Sequence, residues 1–259
     1  KHNWSFDTAP EPHLQNRSLY WPRGKGLGGS SAINGMGYIR GHAEDYNDWV
    51  RQGNIGWGYA DVLPYFKRSM NQERGANDYH GVGGPLVVED PKSGHELFST
   101  FIEAGQQAGI PYNADFNGKQ QEGVGPCQLT INHGQRCSAA HAYLRPVMQR
   151  PNLTIETGAQ VKYLLIHNNQ AEGVRYRKGF RNLDAVARHE VIVCAGAVQT
   201  PQLLMLSGIG EAQELARHGI DVVHNLPGVG KNLQDHLEFY FQFKCKQPII
   251  CCRNLSNRP

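Results

Sequence analysis

Along HELFSTFIEAGQQAG (95–109) apolar residues fall at Leu97, Phe98, Phe101, Ile102, Ala104 and Ala108. That three-to-four spacing predicts an amphipathic helix, stopped by Gly109 and Pro111. DVLPYFKRSMNQ (61–72) reads as a short helix, SAAHAYLRPVMQ (138–149) as another with Ser138 as N-cap, and EAQELARHG as one stopped by Gly219. Pro201 in TPQLLMLSGIG marks a helix start. GVGGPLVVED (81–90) reads as a turn into a strand. LTIET, AQVKYLLIHNN, AEGVRYRK and HEVIVCAGA form a β-rich meander of four runs. VIVCAGA is apolar throughout, as a strand buried on both faces requires, and LEFYFQF alternates like a half-buried strand. Residues 1–23, with Pro10, Pro12 and Pro22, read as irregular loop. Helices mixed with sheet and no repeats predict an α/β (α+β mixed) enzyme-like architecture.

Composition narrows this little. Apolar residues make up 39% of the 259, enough for a sizeable core. The net charge of +3 is too mild, and too scattered, for a nucleic-acid partner. No apolar run approaches the roughly 20 residues of a membrane span, and no signal-peptide pattern opens the chain. Gly stands out: 30 residues, about 12% against a usual figure of about 7%, which points to tight turns and close backbone approach. The chain starts at Lys1 in a polar stretch and stops at Pro259 soon after a strand-like run, so an internal fragment of a longer protein is expected.

Six cysteines (Cys127, Cys137, Cys194, Cys245, Cys251 and Cys252) are too sparse for a disulfide framework and read as reduced thiols. His133, Cys137 and His141 would form a metal-ligand stripe on a continuous helix, but Gly134 places His133 in a turn, so no metal is expected. Sequons at Asn3, Asn16, Asn152 and Asn254 leave a secretory route open. The expected location is cytoplasmic or peripheral to the inner membrane.

Chemistry concentrates in RGKGLGGSSAING. Gly24, Gly26 and Gly29 spell a literal G-x-G-x-x-G. A dinucleotide fingerprint must directly follow a buried strand, and here LYWPR precedes it, so it is not the first turn of a Rossmann unit. The loop still suits an anion: close-set Gly lets N–H groups converge, Ser30 and Ser31 add hydroxyls, and a following helix would add its dipole. A Gly-rich turn closing a hairpin accounts for the same residues equally well.

GKGLGGSSAINGMGYIRGHAEDYN (24–47) resembles the first signature of the glucose–methanol–choline (GMC) family of flavin oxidoreductases, and GAVQTPQLLMLSGIG (196–210) resembles its second. GQRCSAAHAYL (134–144) and GVGKNLQDH (228–236) are also similar to stretches of that family. The likeness covers essentially the whole chain and is nearest the choline-dehydrogenase and bacterial alcohol-dehydrogenase branch. It implies a Rossmann-like FAD domain (1–79 and 152–236) and an antiparallel-sheet substrate domain (80–151 and 237–259), both incomplete.

By the same resemblance, Leu27, Gly28, Gly29 and Ser30 lie along the FAD phosphates and ribityl chain, and Asn34, Gly35 and Gly37 sit near the flavin ring. Val161 pairs its backbone with the adenine, and Ala195 and Gly196 abut the cofactor. Asp235 and His236 belong to a structural, cofactor-adjacent stretch. Ile33 stands where some relatives carry the histidine that tethers FAD, which implies non-covalent cofactor. The catalytic base, a histidine, is expected beyond Pro259, with no catalytic residue in this segment. The implied reaction is oxidation of a primary alcohol, aliphatic or choline, to the aldehyde by hydride transfer to flavin N5, with a quinone, another carrier or oxygen as acceptor. The segment alone is expected to be inactive. Two other readings are a nicotinamide-dependent dehydrogenase built on Gly24–Gly29, which Pro22 disfavours, and a family-derived binding or structural chain without catalysis. Trp49, Trp57, Tyr59 and Tyr65 are expected to pack the core rather than cage a quaternary ammonium.

Overall fold

The computed structural model describes residues 2–235, 244 and 246. Strand pairing runs both ways, parallel in some sheets and antiparallel in others, which is the expected mixed α/β architecture. The chain divides into two compact units, Lys1–Thr154 and Ile155–Ile250.

The first unit opens with a two-residue antiparallel pair, β1 (Phe6–Asp7) and β2 (Tyr20–Trp21), where irregular loop was expected. Prolines between them force a 3-10 turn at Pro12–Leu14 rather than a longer ladder. Among the described residues the strand before Gly24 is β2, a partly exposed antiparallel one and not the buried parallel strand a Rossmann turn follows. Helix α1 (Ala43–Arg51) starts at a reciprocal cap: His42 Nδ1 accepts the Glu44 N–H at 3.2 Å and the Asp45 carboxylate accepts the His42 N–H at 2.7 Å. Helix α2 (Tyr59–Ser69) leads directly into β3 (Met70–Gln72), which pairs in parallel with β4 (Leu86–Val88). Met70 and Val88 are fully buried there. At the ends of these strands, buried Gln72 and Gln128 exchange side-chain hydrogen bonds at 2.9 and 3.0 Å. Gln128 also donates to Asp90 at 2.7 Å, and Arg74 holds Asp90 in a bidentate pair.

Helix α3 (Glu96–Gln107) forms where the apolar spacing predicts it, with His95 as cap and Gly109 at φ +88° after its end. A hairpin, β5 (Ile131–Asn132) and β6 (Gln135–Arg136), turns through His133 and Gly134, both at positive φ, as expected of a turn. Residues 138–149 are not a regular helix. Ala140–Leu144 is a π-helical turn and Arg145–Val147 a 3-10 turn, because Pro146 has no N–H to continue an α-helical ladder. Ser138 caps it as expected, its hydroxyl accepting the His141 N–H at 3.3 Å.

The aromatic expectation fails for three residues. Trp49, Trp57 and Tyr65 are exposed at 43%, 57% and 68%. Trp49 instead meets Tyr46 and Trp57 edge-on along the surface of α1.

The second unit carries a three-stranded antiparallel sheet, β7 (Ala159–His167), β8 (Gln170–Lys178) and β9 (Arg181–Val186). Two of the four expected runs match β7 and β8. LTIET and VIVCAGA form no strand: a strand buried on both faces needs neighbours on both sides, and no described strand flanks either. Ile192 is 73% exposed as a result. The third strand is instead Arg181–Val186, fixed by its ladder to β8 and by the Arg175–Asp184 pair. Helix α4 (Gly196–Leu206) starts five residues before Pro201, which therefore lies inside it, and packs on β7. Ser207 Oγ accepts the Leu164 N–H at 2.8 Å and donates to Leu203 O at 2.6 Å, stitching the two together. β10 (Ile209–Gly210) pairs in parallel with β11 (His224–Asn225) across α5 (Ala212–Arg217), with Leu215 at the centre of the contact. LEFYFQF, Cys245, Cys251 and Cys252 lie outside the described residues.

Candidate functional site

The Gly-rich loop is shaped by what its glycines lack. Gly24 packs so closely on the following turn that an added Cβ would lie 2.1 Å from Gly29 O. Its N–H meets Ser30 Oγ at 3.1 Å, closing the loop on itself. Gly28, at φ +89°, presses against Ala140, where a Cβ would come within 3.2 Å. Gly26, Gly29 and Gly35 are the opposite case: a Cβ on any of them would meet no heavy atom within 4 Å. One side of the loop is therefore welded to protein and the other is open.

The welded side is held by residues distant in sequence. Ser31 Oγ donates to Gly28 O at 2.5 Å and accepts the Ala139 N–H at 2.9 Å. Arg136 Nη1, from the end of the β5–β6 hairpin, donates to Asn34 O and Asn34 Oδ1, both at 2.7 Å, and to Ser31 O at 3.3 Å. Met36 at φ +64° continues the turn, and its carbonyl accepts the Thr130 N–H at 2.9 Å. Gly37 forms a bridge with Leu129 and faces Cys127 Sγ, which lies 3.5 Å from where a Cβ would stand. Burial pushes the Cys127 thiol up, so it stays protonated at neutral pH.

Leu27, Gly28, Gly29, Ser30, Asn34, Gly35 and Gly37 thus share one loop, with Leu27, Ser30, Asn34, Gly35 and Gly37 exposed. Two details differ from expectation. The Ser31 hydroxyl is turned inward to Gly28 O and offers its proton to nothing else. The element after the glycines is a single 3-10 turn, Gly29–Ala32, so the dipole of a full helix is missing; α1 begins only at Ala43. Arg136 is the residue that sequence reasoning passed over, although GQRCSAAHAYL already stood out.

The other expected residues lie in the second unit. Val161 sits on β7 opposite Tyr176, beside a bulge, and is 40% exposed. Ala195 and Gly196, the latter at φ +86°, form the exposed N-terminal end of α4.

A cofactor with phosphates and a flat ring fits the first-unit loop: open glycines let it reach the backbone, and the Ser30 hydroxyl lies at the surface. Among the described residues no group of three or more His, Cys, Asp or Glu could hold a metal ion, and no helix is long and apolar enough to cross a membrane.

A mixed α/β chain with an open glycine loop of this kind has room for a nucleotide cofactor along that loop. The GMC oxidoreductase family matches residues 9–238, and the chain belongs to that family. It is 51% identical over 255 residues to the oxygen-dependent choline dehydrogenase of Brucella anthropi, covering 98% of this chain and 46% of the relative. It is 51% identical over 249 residues to the mitochondrial choline dehydrogenase of Mus musculus, covering 96% and 42%. Among solved structures it resembles the pyridoxine 4-oxidase of Mesorbium loti (TM-score 0.83, 36% identity, 88% of this chain and 45% of that one). It also resembles an FAD-dependent oxidoreductase from Chaetomium thermophilum (TM-score 0.85, 30% identity, 90% and 43%). The chain spans less than half the length of the relatives it matches.

Proposed function

We propose that the protein containing this chain oxidises a primary alcohol, choline or an aliphatic alcohol, to the aldehyde with FAD as cofactor. The observation that carries this is the Gly24–Gly37 loop, welded on one side and open on the other, in a chain of the GMC family. In this reading Leu27–Ser30 follow the cofactor phosphates and Asn34, Gly35 and Gly37 approach the ring. Val161 meets the adenine, while Ala195 and Gly196 close against the cofactor from α4. Residues 1–79 and 152–236 contribute to the FAD domain, and 80–151 and 237–259 to the substrate domain.

When bound, FAD supplies the hydride acceptor that no amino-acid side chain provides. The chain's own part is positioning. Arg136 fixes Asn34, Ser31 fixes Gly28, and the protonated Cys127 thiol backs Gly37 without adding charge. Ile33 offers no atom for a covalent tether, so the cofactor is held non-covalently. The proton acceptor for the alcohol is a histidine outside this segment. A quinone, another carrier or oxygen takes the electrons onward, and the location is cytoplasmic or peripheral to the inner membrane.

The test uses the protein expressed from its full reading frame. Acid precipitation should leave FAD in the supernatant, and anaerobic addition of choline or short primary alcohols should bleach the visible flavin absorbance. Purified protein that takes up no flavin would overturn the reading. Flavin that binds but is not bleached by any alcohol would favour a family member without catalysis.

A further inference from the structure

Away from the glycine loop, the first unit holds a cavity of about 210 Å³ whose eleven lining residues include no Asp or Glu. Its lining does include Arg40, His42, Tyr59, Asn117, Lys119 and Gln121. Arg40 is only 6% exposed. Its guanidinium donates to Tyr79 O at 2.8 Å, to Tyr38 Oη at 3.3 Å and towards Met70 Sδ at 2.9 Å, and it lies 5.1 Å from the Phe66 ring centre.

Every one of those partners is neutral. A buried cation without a counter-charge is costly, and a guanidinium carries five donors, more than these contacts use. Tyr59 supplies no counter-charge either, because burial pushes its hydroxyl up and keeps it protonated. The nearby acids are engaged elsewhere: Asp115, which borders the lining at Gly118, with His80 at 2.7 Å and the Asn117 N–H at 3.1 Å, Asp45 with the His42 N–H, and Glu44 with Asn47 and Arg51. Lys119 is exposed at the rim and makes no ion pair among the described residues.

We propose that this cavity is a binding site for a small oxyanion, a phosphate or carboxylate group, held by Arg40 with Lys119 at the mouth. The bound anion supplies the counter-charge that no described residue gives Arg40. The proposal does not depend on the flavin reading, since the cavity shares no residue with the glycine loop.

The experiment titrates the protein expressed from its full reading frame with inorganic phosphate and, separately, with succinate, at fixed pH and fixed ionic strength, by calorimetry and by the shift in Tm. Saturable binding with a rising Tm is expected in at least one arm, and the arm that responds identifies the anion. Lys119→Ala, a surface change that breaks no ion pair among the described residues, should weaken it by about two- to fivefold. Arg40→Met should weaken it by about tenfold or more. If Arg40→Met does not fold, Lys119→Ala alone decides. No saturable binding in either arm, or affinity unchanged in Lys119→Ala, would overturn the proposal.

Discussion

Arg136 reaches back 102 residues to set one guanidinium nitrogen 2.7 Å from both the carbonyl and the side-chain oxygen of Asn34. A single side chain thereby fixes backbone and side chain of the residue proposed to face the flavin. Arg136→Met removes a charged donor worth about 1.5–3 kcal/mol per hydrogen bond, so FAD affinity should fall by about tenfold or more. Arg136→Lys, which keeps charge but not the planar fork, should restore part of it. Fluorescence titration of the apoprotein with FAD reads both.

Gly24 and Gly35 should respond in opposite ways to the same change. Gly24→Ala forces a Cβ to 2.1 Å from Gly29 O, and the loop must rebuild; a lower Tm is expected along with lost flavin. Gly35→Ala meets open space and should leave Tm unchanged. If the flavin ring lies against Gly35, that variant loses cofactor affinity while folding normally. Equal flavin affinity in Gly35→Ala would move the ring elsewhere.

Asp90 ties stability to acid pH. Burial alone would raise its pKa, but the hydrogen bonds from Arg74 and Gln128 outweigh it and hold the carboxyl below its ordinary value. The folded protein therefore takes up this proton at lower pH than the unfolded chain does. The stabilisation is complete above the unfolded value of about 3.9 and is lost as pH falls through the folded one. Asp90→Asn should lower Tm at pH 7 and flatten the fall in Tm on acidification. A wild-type acid profile unchanged in the variant would show that other carboxylates control it.

Leu215, 1% exposed, anchors the second unit between α5 and the β10–β11 pair. Leu215→Ala should cost about 2–5 kcal/mol, which chemical denaturation followed by far-UV circular dichroism would register.

What was legible in the sequence was local. Helix α3 has a complete amphipathic period and a Gly stop, and it appeared where the pattern placed it. β9 carries no such signal: Arg181, Asn182, Leu183, Asp184, Ala185 and Val186 are all exposed, and only the ladder to β8 makes them a strand. VIVCAGA shows the converse, an apolar run whose strand form depends on neighbours that its own residues do not supply. At the candidate site, the glycines announced a close approach. Arg136 did not announce itself, because a side chain's reach across 102 residues leaves no periodicity to read.

The loop also has a place in time. Its Ser31 hydroxyl receives the Ala139 N–H, 108 residues further along the chain. At a synthesis rate of about 5–20 residues per second, the ribosome makes the glycines roughly 5–20 s before the residues that shape them. The nascent loop passes that interval without its clamp, so it can take its folded shape only once the β5–β6 hairpin and the turn behind it have left the exit tunnel.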